Sequence, residues 1–329
     1  MEPKGKRRVL SHREDVHCVV FHFLVLAGYA AAFWIYLHPK LSGVDSTGEV
    51  AAFVAASALL LGWISGVDVG VNYHNHVHRE IFQISAMNRW FARIWSLVGG
   101  WPALFWKHAH VTVHHKNILG PEDWTLPRRN AKGGLESIFV YSVTFWPWRS
   151  TCCLWRDFSN RGDGETTGRN AIKELLIFLS LWSLPFFVDP LMALWLWVLP
   201  QFVANVAVMG PGMYAQHYGC SEPSEAQRYS HSNTFLSKFF NSTMFNIGYH
   251  IEHHQWPNVH WSALPRTHVR KKREVVEGGG HVVSFGYYRG GQLLSSFFLP
   301  DRGRRIFLAQ HPDYLPFVTK NETTPSPRP

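Results

Sequence analysis

Four long apolar runs constrain the fold of this chain more than any other feature. They cover about residues 16–37, 50–71, 172–188 and 191–210. Because an α-helix rises about 1.5 Å per residue, some twenty residues cross the roughly 30 Å hydrocarbon core of a bilayer. The third run is short, which suits a tilted or partly buried helix. Asp189-Pro190 separates it from the fourth, since proline disfavours helical geometry in the residue before it. The sequence therefore predicts an all-α multi-pass membrane protein with about four transmembrane helices.

Basic residues indicate how these helices are oriented. Five precede the first run, namely Lys4, Lys6, Arg7, Arg8 and Arg13, whereas the loop of residues 39–49 holds only Lys40. Because cytoplasmic loops carry an excess of Lys and Arg, the N-terminus is expected in the cytoplasm. Four crossings then return the chain to the same side. The pattern does not distinguish a bacterial inner membrane from the endoplasmic reticulum.

The excess of basic residues over the whole chain agrees with a membrane protein. Lys and Arg outnumber Asp and Glu by 32 to 23, which suits either nucleic acid or an anionic membrane face. No nucleic-acid-binding motif accompanies the charge, whereas apolar spans do. The basic segment 266–277 is open to two interpretations, a helix lying on anionic headgroups or an ordinary solvated face.

The segments between the spans predict one membrane-embedded domain over residues 1–320 and a disordered tail at 321–329. Residues 91–106 are apolar but broken by Gly99, Gly100 and Pro102, which favours an interfacial or re-entrant segment, and residues 137–148 resemble a membrane-surface helix. The four cysteines (Cys18, Cys152, Cys153 and Cys220) form no CxxC pair and are expected to be reduced thiols.

Three groups of histidines are candidate metal ligands. They are His74 with His78; His110 with His114 and His115; and His250 with His253 and His254. On a helix, residues three or four positions apart share a face, so each group can direct rings to one spot. His115 is rotated by about 100° from His114, which implies local unwinding or ligands aimed at different metals. His76 and His108 have the wrong helical phase and are left out.

Imidazole is the commonest metal ligand in proteins. Eight imidazoles are too many for one ion, because a closed zinc site takes four ligands and a catalytic one three. The simplest interpretation is a site for two metals. A cytosolic, histidine-rich cap of interfacial helices is expected to hold it at the cytoplasmic ends of the spans.

The order and spacing of the groups resemble the three histidine boxes of the membrane fatty-acid desaturase superfamily. The third group is the most similar: Asn246-Ile247-Gly248-Tyr249-His250-Ile251-Glu252-His253-His254, with Pro257-Asn258 and Leu264-Pro265 following, resembles the corresponding run of sphingolipid desaturases and carotenoid ketolases. The resemblance implies a non-haem diiron centre with two Fe ions that uses O2 and two electrons. It also implies a further ligand at His217, after the last span.

Several carboxylates and polar residues are candidates for hydrogen bonds to the ligand histidines. Asp68 lies in the second apolar run, where a charge is costly and usually functional. Asp123, Asn246 and Glu252 flank or interrupt the second and third boxes and are expected to orient ligands from behind. For His231, His260, His268 and His281, a role at the site and an ordinary surface position remain equally open.

The resemblance implies a fatty-acyl or lipid desaturase that introduces a C=C bond into an acyl chain. A hydroxylase or ketolase of a fatty acyl chain or carotenoid on the same fold remains open, because the same boxes serve both. A membrane zinc hydrolase or a metal transporter fits less well, since transport sites lie near the membrane midplane. No haem, flavin or iron–sulfur motif occurs, so we expect a separate electron donor of ferredoxin or cytochrome b5 type. The substrate's chain length, head group and regiochemistry are not encoded in any motif.

Overall fold

The computed structural model describes residues 9–44, 46–128, 134–159 and 168–283. The chain divides into two compact units: Met1–His108 with Leu154–Met209, and Ala109–Cys153 with Gly210–Pro329. The single domain expected over residues 1–320 stays a prediction, and the tail expected at 321–329 lies outside the described residues. All four cysteines are free thiols, as expected.

In the part of the chain that the structure describes, four helices are long and apolar enough to cross a membrane, which confirms the predicted all-α multi-pass fold. They cover Asp15–Leu37, Thr47–His78, Gly168–Val188 and Pro190–His217. The second helix continues well past the end of its apolar run. The first histidine pair therefore belongs to this helix instead of following it. The end of an apolar run shows where the side chains become polar, but the helical backbone can continue beyond that point.

The first unit contains most of the helical segments. Its α-helices are Asp15–Leu37, Pro39–Ser42, Thr47–Val67, His74–His78, Ser85–Gly99, Ala103–Lys107, Gly168–Trp182, Leu184–Val188, Pro190–Ala193 and Leu199–Val203. Asp68–Tyr73, Leu194–Val198 and Ala204–Met209 are π-helical and join α-helical stretches. Each π-helical stretch shifts the side-chain register of the residues that follow it.

Capping residues explain where two of the long helices begin. Ser46 and Glu49 form a reciprocal capping box at the start of the second span. Asp189 accepts a hydrogen bond from the Met192 N–H (2.7 Å), and Pro190 occupies the first helical position. The hairpin expected at Asp189-Pro190 is therefore present as a break followed by a capped helix.

A row of glycines lets the second span pack closely on the last one. A Cβ at Gly62 would lie 2.5 Å from Val203 Cβ, and one at Gly66 would lie 2.5 Å from Val208 Cβ. Real Cβ atoms do not approach so closely, so any side chain at these positions would push the two helices apart. Small residues four positions apart serve this purpose between membrane helices generally.

The segment expected to be interfacial or re-entrant consists of two helices, Ser85–Gly99 and Ala103–Lys107. Two polar side chains of the last span hold the break between them. Gln201 donates to Leu97 O (2.9 Å), and Asn205 donates to Gly99 O (3.1 Å) while accepting from Trp101 Nε1 (2.8 Å). The carbonyls at the end of the first helix are thereby paired without water, as an apolar environment requires.

The second unit has shorter elements around a small aromatic core. Its α-helices are His115–Asn117, Ile138–Thr144, Gly210–His217, Lys238–Thr243, His250–Gln255 and Leu264–Glu277, and it also contains the π-helix Phe145–Arg149 and the 3-10 helix Trp261–Ala263. The π-helix His108–His114 and the α-helix Ser150–Ser159 contain the points at which the chain passes from one unit to the other. Strands Asn233–Phe235 and His281–Val283 pair in parallel. Ile138, Tyr141, Tyr214, Tyr218 and Phe235 are buried together.

Candidate metal centre

The second histidine box lies largely on a π-helix, His108–His114. In a π-helix, residues five apart are paired along the axis, in place of the four of an α-helix. His110 and His115 therefore meet, with their Nε2 atoms 3.1 Å apart. We expected His110 and His114 to point to one place, and this is wrong: the ring nitrogens of His114 belong to a different group of ligand atoms. The other expectation, ligands aimed at different metals, stays a prediction, and the division of these ring nitrogens between two groups is compatible with it.

The third box lies on a six-residue α-helix, His250–Gln255, which we call the third-box helix. Gly248 allows the chain to enter it, because a Cβ there would lie 2.5 Å from Asn241 Oδ1 and 2.7 Å from Phe235 O. The Gly248 N–H donates to Asn241 (3.1 Å) and its carbonyl accepts from the Phe235 N–H (2.7 Å). The start of the helix is thereby fixed to the neighbouring strand.

Four histidines of the second unit form the first cluster of ligand atoms. Their ring nitrogens lie within 4.8 Å of one another; the residues are His114, His217, His250 and His254. The Nε2 atoms of His217 and His250 are 3.2 Å apart, and those of His250 and His254 are 3.0 Å apart. Ligands at right angles around an ion with bonds of about 2.1 Å stand about 3 Å apart, so this spacing fits one shared ion.

Buried polar atoms in this cluster also fit a metal. His114 is fully buried, its Nδ1 donates to Asp123 (2.9 Å), and its Nε2 has no hydrogen-bond partner among the described residues. His217 Nδ1 donates to the His231 carbonyl (2.9 Å). In both rings the Nδ1–H is held from behind, which leaves an Nε2 lone pair available to an ion. Without an ion, an unpaired buried nitrogen would cost free energy.

The second cluster within this unit contains three histidines, His110, His115 and His253. Their ligand atoms lie within 4.8 Å of one another. The Nε2 atoms of His115 and His253 are 3.1 Å apart, which matches the distance between His110 and His115. The third box is thus divided, because His250 and His254 serve the first cluster while His253 serves the second. The expectation that all three point at one spot is wrong, because at 100° per residue His253 lies about 60° from His250 and about 100° from His254 around the helix axis.

The first box lies in the other unit, at the end of the second membrane-crossing helix. His74 and His78 are one helical turn apart, and their ring centroids are separated by 5.2 Å. One ring nitrogen of each lies within 4.8 Å of the other. His74 is buried and His78 is partly buried. The π-helical stretch Asp68–Tyr73 directly precedes them and sets the direction in which they point.

The four residues expected to orient ligands have different neighbours. Asp123 bonds a candidate ligand directly, through His114, and also accepts from Thr125 Oγ1 (2.5 Å). Asn246 has a positive φ of 60° and donates to Trp261 O (3.3 Å), so its observed contacts shape the turn before the third-box helix. Glu252 lies within the third box but bonds His268 and Thr234.

Asp68 is buried in a network that the sequence did not reveal. Its carboxylate accepts from His22 Nδ1 (2.5 Å), Asn72 Nδ2 (3.1 Å) and Trp95 Nε1 (2.9 Å). The histidine it orients is therefore His22 of the first span, which belongs to no box. An ionisable residue within an apolar run indicates a buried pair of polar groups, and His22 is such a residue, since it lies within the first apolar run.

The remaining histidines lie outside the two clusters. His76 accepts from the Ile81 N–H (3.4 Å) and His108 pairs with Asp157 (3.2 Å), which is consistent with leaving both out of the ligand set. His231, His260, His268 and His281 are all buried, so the surface interpretation of these four is wrong. A short run of sequence does not show which distant residues will cover a side chain.

Electrostatics favour neutral rings around the first cluster. Burial, followed by the neighbouring rings of His115 and His250, lowers the pKa of His254 well below its usual range. Burial lowers the pKa of His231 to about 4. Burial alone would raise the pKa of Asp123, but the His114 ring and the hydrogen bonds from His114 and Thr125 lower it overall. Histidines bind metal through neutral rings, and the lowered pKa of His254 favours that state.

The donor set fits a transition metal. Nitrogen-rich ligation suits iron, zinc, copper or nickel and is a poor match for magnesium or calcium. Two separate clusters of convergent Nε2 atoms exceed the needs of a single ion. Chemically, this arrangement can hold metal between histidine rings that are mostly buried.

Comparison with known proteins shows the family to which the chain belongs. A search of curated proteins finds no match. The sequence profile of the fatty acid desaturase family matches residues 50–286, which is more than half of the chain and contains all three histidine boxes. The chain therefore belongs to the fatty acid desaturase family.

Proposed function

We propose that the protein is an O2-dependent diiron desaturase that introduces a C=C bond into the acyl chain of a fatty acid or lipid. The observation that carries the proposal is the pair of convergent histidine clusters in a chain with four apolar helices. Saturated C–H bonds do not react usefully with acids, bases or nucleophiles. When bound, iron would supply the oxidant made from O2.

Nine histidines are the proposed ligands. Seven belong to the clusters of the second unit: His114, His217, His250, His254, His110, His115 and His253. For His74 and His78, ligation rests on the family resemblance and on the proximity of their two rings. Asp123 and the His231 carbonyl hold the rings of His114 and His217 in the orientation that presents Nε2.

The burial of this set supports oxidative chemistry on a lipid. The rings of His114, His250 and His253 are almost inaccessible to solvent. Excluding water protects reactive intermediates from side reactions. An acyl substrate is soluble in the same bilayer that the four apolar helices are suited to cross.

A hydroxylase or ketolase acting on a fatty acyl chain or carotenoid is the alternative. The third-box run Asn246–His254 resembles ketolases as much as sphingolipid desaturases, which is the observation in its favour. Mass spectrometry of the product separates the two reactions. Desaturation removes two hydrogens from the substrate, whereas hydroxylation adds one oxygen.

Electrons would come from a separate carrier of ferredoxin or cytochrome b5 type. The helix Leu264–Glu277, which we call the basic helix, offers a docking face. Arg266 and Arg270 are exposed and form no ion pair with any described residue, and Val269 between them is 78% exposed. An apolar centre with a cationic rim suits a weak, electrostatically steered contact with an acidic protein.

Charge reversal tests this docking face. Arg266→Glu with Arg270→Glu should reduce donor-supported turnover several-fold at low salt, with the difference fading as ionic strength rises. Turnover driven by a chemical reductant should stay unchanged. Lys40→Glu is the matched control, since Lys40 is exposed on the short helix Pro39–Ser42 between two spans. Equal loss with both reductants would remove the basic helix as the docking face.

The activity itself is tested by lipid profiling. Cells expressing the wild-type chain should gain an acyl product two mass units lighter than its precursor. Cells expressing His253→Ala should not, because that substitution removes a ligand of the three-histidine cluster. A variant with unaltered product and iron content would overturn the assignment, and one zinc per chain without iron would favour a hydrolase.

A further inference from the structure

The third-box helix is too short to orient itself. It has six residues yet carries three of the proposed ligands, His250, His253 and His254. Isolated helices of this length are not stable in water, so tertiary contacts must set its direction. The contacts lie on the side away from the clusters, where Ile251 packs with Tyr229 and Val275. Glu252 is the buried polar residue on the same side.

Glu252 is fully buried and has two hydrogen-bond donors. His268 Nδ1 donates to Oε1 (2.6 Å), and Thr234 Oγ1 donates to Oε2 (2.6 Å). The side chain of Glu252 is 0% exposed and that of His268 is 6% exposed. A buried carboxylate is costly unless it is paired and hydrogen-bonded. The two donors therefore determine where the carboxylate, and with it the helix, can lie.

Thr234 also binds the backbone of the third-box helix. Its Oγ1 accepts from the Ile251 N–H (3.2 Å), one of the amides in the first turn that lack a partner within the helix. Thr234 belongs to strand Asn233–Phe235, and the carbonyl three residues before it, that of His231, holds the His217 ring. One short segment thus supports ligands of two different elements.

His268 joins this arrangement from the basic helix. Its ring is buried beside Tyr249, with ring centroids 5.5 Å apart. Its Nε2 has no hydrogen-bond partner among the described residues, so Nδ1 makes the ring's one described hydrogen bond. An apolar side chain would fill the same space without leaving a buried nitrogen unpaired. What the imidazole adds at this position is the bond to Glu252.

We propose that His268 is a positioning residue: with Thr234 it clamps Glu252 and so fixes the angle at which the third-box helix presents its histidines. The role rests on the proposed function, since it requires that those histidines bind metal. His268 itself contacts neither cluster. Neither His268 nor Thr234 belongs to a histidine box, and both lie far from Glu252 in the sequence.

Metal binding by the full-length purified chain tests the clamp. His268→Phe keeps a ring and removes the donor, whereas His268→Asn keeps a donor near the position of Nδ1. Fe²⁺ or Co²⁺ affinity, ions bound per chain and the Co²⁺ ligand-field spectrum would be measured at a temperature where circular dichroism shows all variants folded. Loss of a partner behind a ligand weakens metal binding about 10- to 100-fold. Because His268 acts through Glu252, we expect His268→Phe to weaken metal binding about tenfold and to alter the Co²⁺ spectrum. We expect His268→Asn to restore both the affinity and the spectrum.

Two results would overturn the role. Either His268→Phe binds metal with wild-type affinity and spectrum, or His268→Asn is as impaired as His268→Phe. If the Phe variant does not fold, Thr234→Val against Thr234→Ser makes the same comparison from the other donor. Failure of the wild-type chain to bind metal would instead refute the metal centre itself, so the two failures are distinguishable.

Discussion

Asp123 forms a hydrogen bond with a candidate metal ligand, His114. It accepts from His114 Nδ1 at 2.9 Å, inside the protein, while Thr125 fixes its other oxygen. We expect Asp123→Ala to weaken metal binding by about 10- to 100-fold, because the His114 ring loses its orientation. Asp123→Asn keeps an acceptor for the His114 ring, so its metal affinity should fall much less. Metal titration of the purified variants checks this, and equal affinity of all three proteins would contradict it.

His281 gives a pH dependence that does not involve a proposed ligand. Burial lowers its pKa to about 4 in the folded chain, against about 6.5 when unfolded. Between these values the unfolded chain binds more protons, so stability is complete above about pH 6.5 and falls as pH decreases toward 4. The slope from this group is at most about 1.4 kcal/mol per pH unit.

Replacing His281 should flatten that slope. Its Nδ1 lies 3.2 Å from Asn233 Oδ1, and an asparagine at position 281 can donate to the same oxygen. The free energy of unfolding of His281→Asn should change less than that of the wild type between pH 6.5 and 4.5. Chemical denaturation in detergent at several pH values measures the difference. Parallel curves would show that His281 titrates alike in both states.

The hydrogen-bond partners of single residues can be predicted from the sequence only when the two residues are close together along the chain. The carboxylate at position 123 was identified because it follows the second box closely, and it does bond His114. The bond between Glu252 and His268 was not foreseen, since nothing near either residue in the sequence indicates that the two side chains share a buried space. His22 was missed although an ionisable residue in an apolar run is itself a signal.

Among the helices, the π-helical stretches decide which histidines meet. A sequence read with a period of 3.6 pairs His110 with His114, whereas the π-helix pairs His110 with His115. No residue type is specific to a π-helix. The sequence therefore identifies the second box but does not predict that its histidines are divided between two clusters. The third box is likewise divided by the position of His253 on its helix.

The glycines of the second span provide a test at this scale. Gly66→Ala should lower the free energy of unfolding by about 1–3 kcal/mol, because the new Cβ would lie 2.5 Å from Val208. Gly48→Ala in the same helix is the control, since no atom lies within 4 Å of its Cβ position. Thermal denaturation in one detergent compares them. Equal stability of the two variants would argue against the close packing of these helices.

For the whole molecule, the apolar runs were sufficient to predict the four helices of the described residues that are long and apolar enough to cross a membrane. Their ends were less predictable, because the second and fourth continue into segments whose polar residues are buried by other parts of the chain. The side of the membrane on which the boxes lie remains a prediction from the distribution of basic residues.

Cysteine labelling tests that orientation. Cys152 is an exposed free thiol on the helix Ser150–Ser159. We expect a membrane-impermeant maleimide to label it only when the cytoplasmic face is open. In a background with both Cys152→Ser and Cys153→Ser, Lys40→Cys should be labelled only from the opposite face, because Cys153 is a partly exposed free thiol on the same helix. Labelling of both positions from one side would contradict the proposed topology.

Metal quantification of the anaerobically purified chain decides whether the histidine clusters hold a pair of iron ions. We expect about two irons per wild-type chain and a clear loss of iron in both His254→Ala and His253→Ala, one variant for each cluster. About one zinc and no iron in the wild type, or full iron content in both variants, would contradict it.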